Sequence, residues 1–502
     1  MKRKNIIIAA AAVAALLAAA YPASSWYLGT RIEATLGQID AKIDALPFLN
    51  LVRHDYQRGV FGAEETLTFE IPAALLRLPP PRVPAAPETE ESPDTPESPE
   101  ARQEAPPAPA ALPPLRITLK NVIRHGPLVD SGAFAAASAT TVIEFDEAVQ
   151  KKIQEAFGGK PPAQIRTLYH FDGGGRSTIT SPAFSVVLPG KTEDDQATLS
   201  GDGLEMTVEF TRGMERYTMR GAAPRFELSQ ADGPRLTLTG LKAEADQQRP
   251  FADETLFYVG ALQFSLAALE IDPGPKDGQA ESAKIALKEI KYDTQTSVSG
   301  EFIDLISRLG AAELRVGGQD YGPAAYDLSM KHLRARTLIE INHALMALYT
   351  QPETLRDQER LLQALAPMKD KFIALLLDDS VLSIDRIAFR LPEGEAKFNL
   401  SVKLVDAKPG DFANPLILMG KLDATAELAL PGTLIKMLAM ANDKTENEEE
   451  AQKRDKAADE LIANLAELGY IAIDNGILKS RLALKEGQLR VNDKPFNPLA
   501  LR

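Results

Sequence analysis

Apolar and polar residues alternate in short runs along most of this chain. The clearest case is YQRGVFGAEETLTFEI (Tyr56 to Ile71), where an RGVFG turn separates two arms. Successive side chains of a strand point to opposite faces, so such runs predict half-buried ribbons. From Leu115 to about Val298 the pattern returns in TTVIEF, IRTLYHF, RSTITSPAFSVVL, LEMTVEF, RLTLTGL, LQFSLAALEI and KIALKEIKYDT. The breaks between them are DGGG, SGDG, SQADGP and DPGPKDG. Alternation this dense predicts antiparallel sheet with one face buried. EAVQKKIQEAF reads as a helix within that stretch.

Past residue 300 the period changes. EFIDLISRL, TLIEINHALMALY and LRDQERLLQALAPMKDKFIALLL carry helical spacing, the last interrupted at Pro367. SVLSIDRIAFRL, KFNLSVKL and KLDATAELAL predict strands; GTLIKMLAMA and ENEEEAQKRDKAADELIANLAEL predict helices. The closing YIAIDNGILKSRLALKEGQLRVNDKPF reads as hairpins that turn at Asn475-Gly476 and Glu486-Gly487. Triplets such as Leu236/Leu238/Leu241, Phe264/Leu266/Leu269 and Ile285/Leu287/Ile290 step by two and then by three. That reverses side-chain parity, as a bulge does. Such triplets are common by chance at this apolar content, so they only hint at bulged, curved strands.

The first thirty residues have another character. Lys2, Arg3 and Lys4 precede an apolar run from Ile6 to Ala20, with Trp26 and Tyr27 beyond it. Counted through Leu28, the stretch reaches about 23 residues without a charge, enough for a bilayer-spanning helix with its aromatic pair at the outer interface. The competing reading is a cleaved secretory signal ending near Ala18-Ala19-Ala20. TRIEATLGQIDAKIDAL then places Ile32, Leu36, Ile39 and Ile43 at helical spacing. The segment from Pro79 to Pro114 holds 13 prolines and seven acids with little to bury, and reads as a disordered insertion. The expected organisation is therefore an anchor over 1–30 and a β-rich region over 31–78 and 115–300, interrupted by 79–114. A mixed α+β region over 301–502 completes it.

Net charge is −14 and no dense basic face stands out, which argues against a nucleic-acid partner. With no cysteine, thiol nucleophiles, disulfides and Cys-ligated zinc are excluded. The five histidines are His54, His125, His170, His332 and His343, with no H-E-x-x-H or H-x-H spacing among them. A hydrolytic or metal site would have to draw on His54 and His125. His125 in HGPL reads instead as a strand end, with its ring bonded to backbone and Gly126-Pro127 forming a turn. The expectation is no catalytic residue, no metal and no cofactor. The weak binding candidates are Tyr56, Arg58, Gly59, Phe61, His125, Gly126 and Pro127, with Arg58 able to clamp an anionic headgroup.

The order of basic N-terminus, apolar span, Trp26-Tyr27, Tyr56-Gln57-Arg58-Gly59-Val60-Phe61, then His125-Gly126-Pro127 resembles the YdgA-like family of Gram-negative envelope proteins, a family of unknown function. The close is similar too, in Asn475-Gly476-Ile477 and in Glu486-Gly487-Gln488-Leu489 running to Asn492. The resemblance implies a single-pass inner-membrane protein, N-terminus cytoplasmic and body periplasmic, and supplies no reaction. The fold expected is α+β: one N-terminal transmembrane helix followed by a β-rich body of curved antiparallel sheet with flanking helices. The terminal hairpins and the strand, Leu-Pro-Gly, helix order at Leu428 to Leu438 look loosely like AsmA-like lipid-transfer proteins. Two functions follow as expectations. The first is a non-enzymatic protein, held to membrane lipid by its N-terminal helix, that binds an amphiphilic ligand on its sheet. The second is a scaffold that binds envelope proteins or a second copy of itself.

Overall fold

The computed structural model describes residues 20–37, 40, 43, 46, 49–71, 114–188, 196–231, 233–274, 284–348, 351, 354, 358–434 and 448–496. The alternating runs form β1 (Asn50–Arg58), β2 (Gly62–Ile71), β3 (Leu115–His125), β4 (Ala137–Phe145), β5 (Gln164–Tyr169), β6 (Gly175–Ser181), β7 (Phe184–Leu188) and β8 (Ala197–Gly201). Next come β9 (Leu204–Phe210), β10 (Arg216–Gln230), β11 (Arg235–Gln248), β12 (Val259–Asp272), β13 (Ile285–Ser299), β14 (Phe302–Ala311), β15 (Glu313–Val316) and β16 (Gln319–Tyr321). The last are β17 (Ala324–Arg334), β18 (Val381–Leu391), β19 (Gly394–Leu404), β20 (Leu422–Pro431), β21 (Ala472–Asp474), β22 (Ile477–Lys485), β23 (Gln488–Val491) and β24 (Lys494–Pro495). Helix α1 covers residues 20–37. The others are α2 (Glu147–Ala156), α3 (Ala335–Leu348), α4 (Gln358–Leu365), α5 (Lys369–Leu376), α6 (Pro415–Lys421) and α7 (Glu448–Leu468).

All these strands join one sheet, and neighbours pair antiparallel, mostly with the next strand in the chain. The ribbon runs β1 to β6, then β9 to β14, then β17 to β20, and ends in β22, β23 and β24. Among the described residues β1 and β24 do not pair with each other, so the sheet stays open.

Its two faces differ in kind. Directly opposed residues can be followed from strand to strand along one row: Ile165, Ile179, Met206, Gly221, Ala243, Phe264, Tyr292, Leu309, Tyr326, Ile387, Phe398 and Leu428. The neighbouring row on the other face reads Arg220, Glu244, Gln263, Asp293, Arg308, Asp327 and Arg386. Cross-strand pairs stabilise a sheet when like meets like in polarity and charges alternate in sign. Both rows do so.

A crease crosses the ribbon. Two pairs of strands are single runs interrupted at one residue row: β8 and β9 at Asp202–Gly203, and β14 and β15 at Ala312. The ladder lapses at Pro224, Gly240, Ala267 and Glu289 in that row. Gly203, Gly240 and Glu289 have φ of 100°, 67° and 49° there. The three-residue step in Leu238/Leu241, Leu266/Leu269 and Leu287/Ile290 spans this row. Beyond it Leu314 opposes Tyr321, whose ring stacks at 6.0 Å on Phe389, two residues from Ile387 in the apolar row. The reversal of parity thus keeps apolar residues on one side of a bent sheet.

Two buried clusters anchor the layers. Ile32 and Leu36 of α1 pack on Ala63, Ile123, Ala137, Ala139 and Tyr169. Farther along, Val259, Ile303, Leu333 and Ala335 meet Phe251, Leu338 and Leu375 under α3 and α5, which are tied at the surface by Lys371 and Glu340 at 2.8 Å. Burying one such leucine or isoleucine contributes about 2–3 kcal/mol.

The structure corrects three expectations. EFIDLISRL is not helical but forms β14; a bulge between Ile303 and Leu305 breaks its alternation, and the resulting spacing imitates a helix. The α+β description gives way to one dominant antiparallel sheet with helices laid on it. The transmembrane helix and the single-pass inner-membrane placement are not supported: no helix among the described residues is long and apolar enough to cross a membrane. Ile6 and the run to residue 19 lie outside the described residues. Ala20, Trp26 and Tyr27 fall in α1, which carries Arg31 and Glu33 and is committed to the sheet. The residues meant to complete the span hold protein instead: Ser25 is fully buried, and the Tyr21 hydroxyl donates to the Leu128 carbonyl at 3.1 Å. The Pro79–Pro113 part of the insertion and most of GTLIKMLAMA also lie outside the described residues.

Candidate functional site

At the β1 end, the row that is apolar from Ile165 onward begins with Tyr56, Glu65, Asn121 and Thr141. Glu65 is 2% exposed. Asn121 Nδ2 donates to its Oε2 at 2.7 Å, and Thr141 Oγ1 donates to Asn121 Oδ1 at 2.5 Å. The other Glu65 oxygen, Oε1, lies 3.2 Å from His54 Nε2, and Asp40 Oδ2 lies 3.6 Å from that same nitrogen. Burial, with Glu65 adding to it, pushes the Asp40 carboxyl up to about 6. Burial, then Glu33 and Glu65, pushes the Tyr56 phenol up to about 12. The Asp40 Oδ2 and Tyr56 hydroxyl oxygens are both buried without a hydrogen-bond partner. Asp40, His54 and Glu65 bring their donor atoms within 4.8 Å of one another.

The sequence candidates gather beside α1, a few residues along. His125 ends β3 and is 2% exposed; its Nδ1–H donates to the Val60 carbonyl at 3.2 Å. Burial lowers its pKa, Arg58 adds to the lowering, and the Val60 hydrogen bond and Glu33 oppose it. Arg58 pairs with Glu33 at 2.7 Å and covers the Trp26 ring at 5.6 Å. Phe61 stacks on Tyr21 at 5.9 Å. Gly59 N–H closes the hairpin on the Gly62 carbonyl at 2.7 Å, and Gly126 N–H bonds the Ala136 carbonyl at 2.7 Å. A Cβ at Gly126 would stand 1.9 Å from the Ala135 oxygen, so only glycine fits. The Pro127 carbonyl accepts from Ala135 N–H at 3.0 Å. Arg58 is thus occupied by Glu33 and Trp26. His54 stands four residues from it on the same face of β1, roughly 13 Å by strand rise. His54, Arg58 and His125 do not converge on one pocket.

The second feature is the apolar face. Phe264, Tyr292, Leu309 and Tyr326, in register on four adjacent strands, are 39%, 36%, 42% and 43% exposed. A parallel row, Leu305, Met330, Leu382 and Val402, leads under α5 and α6. There a pocket of about 340 Å³ is walled by Leu376, Leu382, Val402, Phe412, Leu418 and Met419. A larger depression of about 520 Å³ near Arg58 and Phe61 is also lined by Gln57, Glu64 and Arg124, so it is a mixed, wet surface. The apolar pocket is the better match to a greasy chain, since burial of apolar area drives such binding.

Sequence reasoning missed Asp40 and Glu65. A signal for Glu65 existed: in GAEETLTFEI it shares parity with Ala63, Leu67 and Phe69, the inward positions of β2. Asp40 had no comparable mark.

Fold and site define a class: a long, open antiparallel sheet with one apolar and one charged face, sealed at one end by a helix over a buried acid cluster. The chain belongs to a bacterial family of unknown function, DUF945, whose model matches residues 2–498. No curated protein and no solved structure matches it.

Proposed function

We propose that this protein is a non-enzymatic binder of a long-chain amphiphile, whose apolar chain lies along the creased face and enters the pocket beneath α5 and α6. One observation carries this reading. Phe264, Tyr292, Leu309 and Tyr326 form an unbroken apolar row that the described residues leave more than one-third exposed. A row of this size in water is unfavourable by about 25 cal/mol per Å² of apolar area, which a ligand chain recovers. The opposite face carries charged and polar residues in register, with Asp293, Arg308, Asp327 and Arg386 alternating in sign, and so has no reason to leave water. The lack of convergence among His54, Arg58 and His125 supports binding rather than catalysis. The alternating charges support a partner other than nucleic acid.

The test is mass spectrometry of organic extracts from the purified protein, paired with titration of a fluorescent fatty acid. Co-purifying acyl chains, or saturable probe binding displaced by unlabelled fatty acid, support the reading. An extract free of amphiphiles together with no probe binding removes it.

A second reading rests on β1, whose outer edge carries no strand among the described residues. Unpaired strand edges recruit further strands, from another protein or a second copy. Crosslinking through Arg53→Cys on that edge would trap a dominant partner or a homodimer; a monomer alone removes this reading.

A further inference from the structure

Asp40, His54 and Glu65 come from three segments: the region following α1, then β1, then β2. Two of them are carboxylates with almost no contact with water, at 6% and 2% exposure. Burying a carboxylate is strongly unfavourable unless a cation or donors meet it. Glu65 Oε2 has Asn121. Glu65 Oε1 and Asp40 Oδ2 instead both turn toward His54 Nε2, which has one proton at most to offer. Asp40 Oδ2 receives no hydrogen bond. Arg58, the basic group on the same face of β1, is taken by Glu33.

The spacing is compatible with an ion, the three donor atoms lying within 4.8 Å of one another. Around tetrahedral zinc with bonds of ~2.0–2.2 Å, donor atoms lie about 3.3–3.6 Å apart. The His54 nitrogen lies 3.2 Å from the Glu65 oxygen and 3.6 Å from the Asp40 oxygen. The Thr141–Asn121–Glu65 relay orients the carboxylate from behind, the outer support that metal ligands usually have. His54, 37% exposed, leaves an approach from solvent. One imidazole with two carboxylates suits zinc over calcium or magnesium, which prefer all-oxygen shells.

We propose that Asp40, His54 and Glu65 bind one zinc-class divalent cation, which neutralises the two buried carboxylates and clamps the segment after α1 onto the β1–β2 hairpin. This is independent of the amphiphile reading, because the cluster is built from different residues.

The full-length protein, stripped with EDTA, is titrated with ZnCl₂ by calorimetry, and its melting temperature is followed with and without Zn²⁺. One equivalent should bind and raise the melting temperature. His54→Ala and Asp40→Asn should each weaken binding at least tenfold and abolish the thermal shift, with circular dichroism confirming that both variants fold. Ca²⁺ and Mg²⁺ should bind at least tenfold more weakly than Zn²⁺. Absence of Zn²⁺ binding overturns the proposal, as does binding that survives both substitutions, which would place the ion on other histidines. If neither variant folds, protection of His54 from diethyl pyrocarbonate by Zn²⁺ in the unmodified protein decides: protection supports the site, and no protection overturns it.

Discussion

Gly29 of α1 faces the buried ring of His125 so closely that a Cβ on it would stand 2.4 Å from the ring's Cε1. The helix can lie on β3 at this distance only because residue 29 has no side chain. Alanine in a helix is normally favoured over glycine by about 1 kcal/mol. Here the clash with a fixed ring outweighs that gain. Gly29→Ala should destabilise by about 2 kcal/mol in urea unfolding. Gly37→Ala, which would meet nothing within 4 Å, should not. Equal behaviour of the two variants would refute the contact.

His125 should make stability fall toward acid. Its folded pKa lies below the ordinary value of 6.5, chiefly through burial, with Arg58 of β1 and Glu33 of α1 as the charged groups acting on it. The unfolded chain takes up a proton below about pH 6.5 while the folded chain does not. The contribution is present above that pH and is lost as pH falls from 6.5 toward the folded pKa. A His125→Gln variant should lose this part of the slope in unfolding free energy between pH 7 and 5. An unchanged slope would mean the ring is protonated in place.

Gly240 tests the crease. Its φ is 67° and a Cβ would stand 2.9 Å from that of Ala267. Gly240→Val should cost about 2 kcal/mol or more, since a branched residue is poorly tolerated in the left-handed region. Gly221→Ala in the same sheet would meet nothing nearer than Met206 at 3.5 Å and should cost far less. Comparable losses would mean the crease is not specifically held by Gly240.

Leu309→Asp and Tyr326→Asp should lower bound amphiphile severalfold in extracts and probe titrations. Both side chains are more than one-third exposed, so stability should change by no more than about 1 kcal/mol. Unchanged ligand content in the double variant would move the ligand off this row.

Much of the sheet was legible in the chain. Alternation marked β2, β3 and β11 to β13, and Asn475-Gly476 and Glu486-Gly487 do turn with φ of 49°, 77°, 51° and 73°. The chain also carried the crease, as three-residue steps too common to stand alone; alignment of Gly240 with Ala267 and Glu289 made them one row. β14 imitates a helix because Phe302, Ile303, Leu305, Ile306 and Leu309 satisfy a helical period once a bulge intervenes. The candidate metal cluster was half visible, in the inward parity of Glu65, and half invisible.

The sequence by itself determined what depends on bonded neighbours: where most strands extend, which residues turn them, and which side of those ribbons is apolar. Tertiary structure alone decided where those sides were spent. It laid α1 on β1 to β5, brought Asp40 beside His54 and Glu65, and left Phe264 to Tyr326 partly in water. Periodicity and turn chemistry act over a few residues, whereas burial and charge pairing depend on segments far apart in the chain that meet only once the sheet has formed.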